Sequence, residues 1–321
     1  MFRKNLSNYI VKHCLNKEFF IENKALTTLI FLIAVMAISN PYFLTWSNGL
    51  LILQQTSINA IIAVGMTFVI LTRGIDLSVG SVLSLSGMLC ASMVYHGIPI
   101  IIVIPLTMLM GALMGLVSGF IIVKGSVQPF IATLITMTLF RGLTMVYSQG
   151  YPISAESYLF ECIGNSRFLG LPISVIIMVI VFSLAFYILK HTCFGRYVYA
   201  LGGNEEATRL AGIQVGKVKL YVYIISGTLA ALSAVILTAR LSSAQPTAGN
   251  GYELDAIAAV VLGGTSLFGG KGKIIGTLMG ALIIGLISNA LNLMDVSSYY
   301  QLIVKAIVIL IAVLFDFKLK K

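Results

Sequence analysis

The stretch IPIIIVIPLTMLMGALMGLVSGFIIV, Ile98 to Val123, runs for twenty-six residues without Asp, Glu, Lys, Arg or His. A helix needs about 20 predominantly apolar residues to cross the ~30 Å hydrocarbon layer, so this segment spans a bilayer unaided. The rest of the chain repeats the pattern. Only 32 of 321 residues are Asp, Glu, Lys or Arg, 58% are hydrophobic, and the mean hydropathy is +0.99. A soluble domain carries about 25% charged residues, so composition assigns the whole chain to the membrane.

With Gly, Pro and charge as punctuation, ten apolar segments emerge. They are Ala25 to Ile38, Leu50 to Leu71, Leu77 to Val94, Ile98 to Val123, Phe130 to Tyr147, Ile173 to Leu189, Leu220 to Leu241, Asp255 to Leu267, Ile274 to Leu291 and Leu302 to Phe315. The expected fold class is therefore an all-α polytopic membrane protein of about ten transmembrane helices. The basic lead (Arg3, Lys4, Lys12, Lys17, Lys24) has the charge order of a signal peptide, but the run behind it continues to Pro41 without an A-x-A-like site, and reads as an uncleaved first span.

Basic residues test the span set. With the N-terminus in the cytoplasm, 17 Lys and Arg fall in inside segments and two, Arg167 and Arg240, outside, with Arg141 and Lys305 within spans. Cytoplasmic loops carry such an excess, so both termini are expected in the cytoplasm. The net charge of +10 thus reflects topology; it is spread over short loops and builds no nucleic-acid stripe.

The third and eighth segments are weak in the same way. Asp76 to Gly87 (DLSVGSVLSLSG) and Glu253 to Gly264 (ELDAIAAVVLGG) each open on a carboxylate and are dense in small residues. Five segments apart, they enter from opposite sides, the pattern of an inverted repeat of two five-helix halves with interrupted helices beside the substrate route. Arg141 and Lys305 form a second matched pair in the outer half of the bilayer, without an evident embedded acidic partner. Asp76 is expected to cap its helix or to pair with Arg73.

Lys190 to Lys219 is the one soluble-looking stretch between spans. Asn204 can N-cap a short helix with Glu205 and Glu206 in its first turn, and Gly212 can stop it. Ala207, Leu210 and Ala211 would share an apolar ridge flanked by Glu206 and Arg209. Two turns of helix do not persist alone in water, so the ridge is expected to dock on a partner.

Catalysis by the chain itself finds no support in its residues. The Gly263 to Lys273 stretch is no phosphate loop, because Thr265 or Leu267 stands where the first Gly must be. The three histidines are scattered, no acid pair has hydrolytic spacing, and Cys14, Cys90, Cys162 and Cys193 show neither disulfide nor metal-ligand spacing. No cofactor or metal is expected. For a hydroxylated substrate, the polar groups Gln54, Gln55, Thr56, Ser57 and Asn59 on the second span, with Asn289 and Asn292 on the ninth, are the pathway candidates. The alternative is that they join helices by hydrogen bonds.

Glu206-Ala207 followed by Gly212 matches the EAA-x3-G pattern of permease subunits, with Thr208 in place of the second Ala. Longer stretches are more specific: LQQTS (53–57), GIDLSVGS (74–81), GGNE (202–205), LSSAQPTAG (241–249) running on to YELD (252–255), LGGTS (262–266) and VSSYYQ (296–301). On these the chain resembles the monosaccharide permeases of binding-protein-dependent ABC importers, and among them those that carry ribose. The resemblance implies a single permease domain over 1–321, with 1–24 a cytoplasmic N-terminal segment and 190–219 a coupling loop. It implies a bacterial inner-membrane homodimer surrounded by lipid, a cytoplasmic subunit with two ATP-binding domains, and a periplasmic sugar-binding protein. Glu205, Glu206, Ala207, Arg209 and Gly212 then become ATPase-coupling candidates, and Arg240 and Arg167 candidates for docking the binding protein. Import of another monosaccharide or a furanosyl signalling molecule fits the same architecture. An ion-coupled secondary transporter would share the repeats and broken helices.

Overall fold

The computed structural model describes residues 24–318; the basic N-terminal lead through residue 23 and the last three residues lie outside this range. Thirteen helices appear among the described residues: α1 Lys24–Ser39, α2 Trp46–Leu71, α3 Val79–Tyr95, α4 Ile100–Lys124, α5 Pro129–Ser148, α6 Tyr158–Asn165, α7 Ile173–His191, α8 Cys193–Gly203, α9 Glu205–Leu210, α10 Val215–Leu241, α11 Tyr252–Leu262, α12 Ile274–Leu293 and α13 Ser298–Lys318. Four two-residue strands complete them: β1 (Ile153–Ser154) pairs antiparallel with β4 (Ser243–Ala244), and β2 (Arg167–Phe168) with β3 (Leu171–Pro172). Each of the ten expected apolar segments coincides with a helix. Six (α2, α4, α5, α7, α10 and α12) are long and apolar enough to cross a membrane. The protein is a multi-pass membrane protein.

The centre is α2. Every residue from Thr56 to Leu71 except Asn59 is buried, as befits a helix apolar on all sides. It is flanked by α10 and α12. The tightest helix pair is α4 with α10, and its cause is a row of small residues. Gly111, Gly115 and Gly119 recur every four positions on α4, and a Cβ on Gly227 would collide with the Gly111 carbonyl, while one on Gly111 would collide with Ala231 and the Gly227 carbonyl. In lipid, where apolar side chains gain little from pairing with one another, such close backbone approach is the main route to helix association. A second close contact is that of α12 on α2, where Gly285 packs on Thr56 and the hydroxyls of Thr67 and Thr277 lie 2.9 Å apart.

Two helices begin inside the fold. Ser226, eleven residues into α10 and therefore roughly 16 Å along it, donates from its hydroxyl to Asp76 of the α2–α3 connection at 2.7 Å. The α10–α11 connection lies against the start of α3: Ser84 of α3 and Arg141 of α5 both donate to the Pro246 carbonyl, and a Cβ on Gly80 would collide with the Gly249 carbonyl. Here irregular backbone lies against the start of a helix within the fold, as backbone at membrane depth must when it is buried in protein. The eighth segment accordingly differs from its expected bounds. α11 begins at Tyr252 and ends at Leu262, eleven residues or about 16 Å, half the hydrocarbon thickness. Gly263 packs backbone to backbone on Gly276, and the chain turns there instead of continuing to Leu267.

Candidate functional site

Polar side chains that composition marks as costly in lipid gather at three levels. The first is the inner face of the broken helices. Asp76 accepts from the Ser78 amide at 3.0 Å, the Ser78 hydroxyl at 2.6 Å and Ser226 at 2.7 Å. It therefore braces the turn ahead of α3, whose N-cap is Ser78 without a side-chain cap bond, and it does not pair with Arg73. Thr133 of α5 donates to the neighbouring Ile75 carbonyl at 3.0 Å.

The embedded cations are held internally. Arg141 donates to the carbonyls of Pro246 and Ala248, each at 3.0 Å. Lys305 of α13 lies 2.8 Å from the Asp255 carboxylate of α11, and Asn59 of α2 donates to the same oxygen at 3.3 Å. This corrects the sequence-based expectation that no embedded acid accompanies these cations. Apolar neighbours hide the pairing in sequence, because the partners stand fifty positions apart. The Oδ1 of Asn59 is buried and has no hydrogen-bond partner among the described residues.

The pathway candidates do not converge. Gln54 donates to the Gly164 carbonyl of α6 at 2.8 Å, Asn289 exchanges bonds with Asn48 (2.9 and 3.2 Å), and Asn292 accepts from Gln301 at 2.8 Å. Ser57 bonds back to the Gln54 carbonyl, and Gln55 is partly buried beside it. Of the seven, Asn59 alone joins the Asp255–Lys305 pair.

The second level is the short helix α9. Asn204 N-caps it, accepting from the Ala207 amide at 3.0 Å, and Gly212 ends it with φ +80°. Glu206, Ala207, Arg209, Leu210, Ala211 and Gly212 are exposed, Leu210 at 84%, while Thr208 is buried. Glu205 turns inward: both its oxygens accept from Lys219 at the start of α10 at 2.8 Å, and Arg209 reaches it at 3.4 Å. Sequence reading missed α8, which leads into α9; its signal was Thr192, whose hydroxyl accepts from the Gly195 amide at 3.2 Å as an N-cap. Tyr199 of α8 donates to the Gly272 carbonyl at 2.9 Å, and burial pushes its phenol above the ordinary range.

The third level is the opposite end. Arg167 is exposed in the β2–β3 hairpin. Arg240 is half-buried at the end of α10, where Gly164 of α6 packs directly on its backbone and Asn165 donates to its carbonyl at 3.4 Å.

Residues 48–313 match the family described as the branched-chain amino acid transport system / permease component. The chain belongs to this permease family. The permease is 61% identical over 303 residues to the ribose import permease protein RbsC of Haemophilus influenzae, covering 93% of this chain and 94% of that one. It is 58% identical over 306 residues to the Escherichia coli K12 protein of the same name, covering 94% and 95%. The D-allose transport system permease protein AlsC of Escherichia coli K12 is 41% identical over 281 residues, covering 87% and 86%. No solved structure matches the permease.

Proposed function

We propose that this permease is the membrane-spanning subunit of an ABC importer that carries ribose across the bacterial inner membrane, driven by ATP hydrolysed on a separate cytoplasmic subunit with two nucleotide-binding domains. The observation that carries the reading is the gap between 61% identity to a ribose permease and 41% to an allose permease, each over most of both chains. A periplasmic binding protein delivers the sugar, and two copies of the permease form the conduit. The ten helices act as ten spans with both termini in the cytoplasm, arranged as an inverted repeat. Supporting that arrangement, α4 packs on α10 as α12 packs on α2, and the α5 cation Arg141 has its counterpart in Lys305 of α13.

In this reading the exposed ridge of Glu206, Ala207, Arg209 and Leu210, stopped by Gly212, contacts the ATP-binding subunit, with Glu205 anchoring the ridge to Lys219. Arg240 and Arg167 face the binding protein. Arg suits two-pronged pairing with carboxylates on such a partner. Asn59 is the pathway candidate best placed to meet sugar hydroxyls. Gln54, Gln55, Asn289 and Asn292 shape the walls by fixing helices.

The embedded Lys305–Asp255 pair is the observation that favours the ion-coupled alternative. Uptake of labelled ribose into proteoliposomes holding permease and ATP-binding subunit, with binding protein outside, separates the two. Uptake should require ATP inside and the binding protein, and persist after ionophores collapse all gradients. Excess unlabelled allose or xylose should compete weakly. Uptake that an imposed ion gradient drives without ATP overturns the proposal.

A further inference from the structure

The helix α2 ends in an unusual way. Its last turn closes with the Arg73 amide on the Ile70 carbonyl at 2.9 Å and the Gly74 amide on the Val69 carbonyl at 3.0 Å. That is the two-bond helix stop whose left-handed position is ordinarily glycine. Here the position holds Arg73, with φ +62°. A side chain there costs conformational energy that glycine would avoid, and strained backbone persists only where its surroundings over-determine it. The surroundings are specific. The Arg73 guanidinium donates through Nε to the Gly202 carbonyl at 2.8 Å and through Nη2 to the Gly203 carbonyl at 2.6 Å, the two final residues of α8.

Three chain segments interlock at this point. A Cβ on Gly202 would collide with the Leu71 carbonyl and with the Gly270 amide nitrogen. The Gly270 amide donates to the Leu71 carbonyl at 3.0 Å, and the Arg73 side chain lies across Gly269, whose hypothetical Cβ would stand 2.5 Å from its Cγ. Tyr199 adds the bond from α8 to Gly272. The residue after Gly203 is Asn204, the cap of α9. The exposed ridge is thus fastened at its root to the end of the buried central helix α2 and to the α11–α12 connection, beyond its chain neighbours α8 and α10.

We infer that Arg73 is the positioning residue of the coupling element: its forked donor clamps the end of α8, so that displacement of α9 passes to α2 and to the broken helix α11. The inference rests on the reading of α9 as the contact with the ATP-binding subunit. A planar fork suits two adjacent carbonyls as an ammonium does not.

The readout is ribose taken up per ATP hydrolysed in proteoliposomes containing the full complex and binding protein. In Arg73→Ala this ratio should fall roughly three- to tenfold, the range that losing a net hydrogen bond carries, and Arg73→Lys should recover part of the loss. A wild-type ratio in Arg73→Ala overturns the inference. Should Arg73→Ala fail to reach the membrane, Tyr199→Phe, which removes one hydroxyl from the same junction, replaces it. Its ratio should fall in the same direction, and a wild-type value then overturns the inference. A thiol cross-link from Leu210→Cys to the ATP-binding subunit tests the underlying reading separately: formed with a normal Arg73→Ala ratio, it leaves the contact standing and removes Arg73.

Discussion

At the residue scale, charged groups that are costly in lipid have specific partners: Ser78 and Ser226 donate to Asp76, and Arg141 donates to the Pro246 and Ala248 carbonyls. Asn204 and Gly212 were legible in full, because capping is local: the donor amide lies three residues from its acceptor and the left-handed stop follows the last turn. The polarity of Gln54, Asn289 and Asn292 was equally legible. Their direction was not, since a polar residue facing a partner helix and one facing a substrate route look identical along the chain. Lys305 and Asp255 illustrate the long-range case. Side-chain exposures of 22% and 6% mark a pair largely withdrawn from solvent, and removing one member of such a pair leaves an uncompensated buried charge, at a cost of about 3–5 kcal/mol. Lys305→Met should therefore lower the thermal stability of the purified permease markedly. Replacing both partners, Asp255→Asn with Lys305→Met, should recover most of it, because the new side-chain amide can still bond Asn59. Thermal unfolding in detergent checks this, and a double variant no more stable than the single one would refute the pairing as the cause.

At the element scale, helix existence followed from apolar run length, while helix contact did not. The run that opens α4 reads as a span, yet nothing in its hydropathy says which helix its glycines will meet. Small residues at every fourth position define a face, and the partner must present small residues at matching heights, as Gly227 and Ala231 of α10 do. The broken helices were legible as weak segments, but not as meeting within the fold, because that requires the irregular connections around Asp76 and Pro246 to be placed in three dimensions. The α4–α10 contact carries a sharp expectation. The atoms facing Gly227 belong to the backbone of Gly111 and Gly115 and cannot swing aside, so even one methyl must push the helices apart. Gly227→Ala should destabilise the permease by about 1–3 kcal/mol, the usual range for overpacking, whereas Gly203→Ala, where nothing lies within 4 Å of the added carbon, should leave helix packing unchanged. Thermal unfolding and membrane abundance of the two variants report the difference; equal behaviour would show that the close approach is not what joins α4 to α10.

At the scale of the whole molecule, the connections gather in two groups. Arg73, the end of α8 and the loop around Gly270 contact one another, and on the same side Lys219 at the start of α10 holds Glu205 of α9. The other group joins Asn40 to the Leu293 carbonyl, β1 to β4, and Gly164 to the end of α10. Alternate crossing of ten segments would produce two such groups, and the excess of Lys and Arg expected on the cytoplasmic side would place the first of them there. Contact geometry and charge are independent, since packing is indifferent to which side faces the cytoplasm, whereas insertion responds to Lys and Arg in short loops. Packing shows which loops lie together, and the charge count supplies the expectation of which group faces the cytoplasm. Reporter fusions after Lys124, Lys219 and Lys273 should register in the cytoplasm, and those near Gly97, Glu161 and Asp295 in the periplasm. The fusion after Lys273 is the most demanding, because α11 is only eleven residues long and would have to cross together with the irregular connection before it. A periplasmic signal there, with the other five as expected, would mean that α11 turns back within the membrane, and the inverted pairing of α3 with α11 would have to be abandoned.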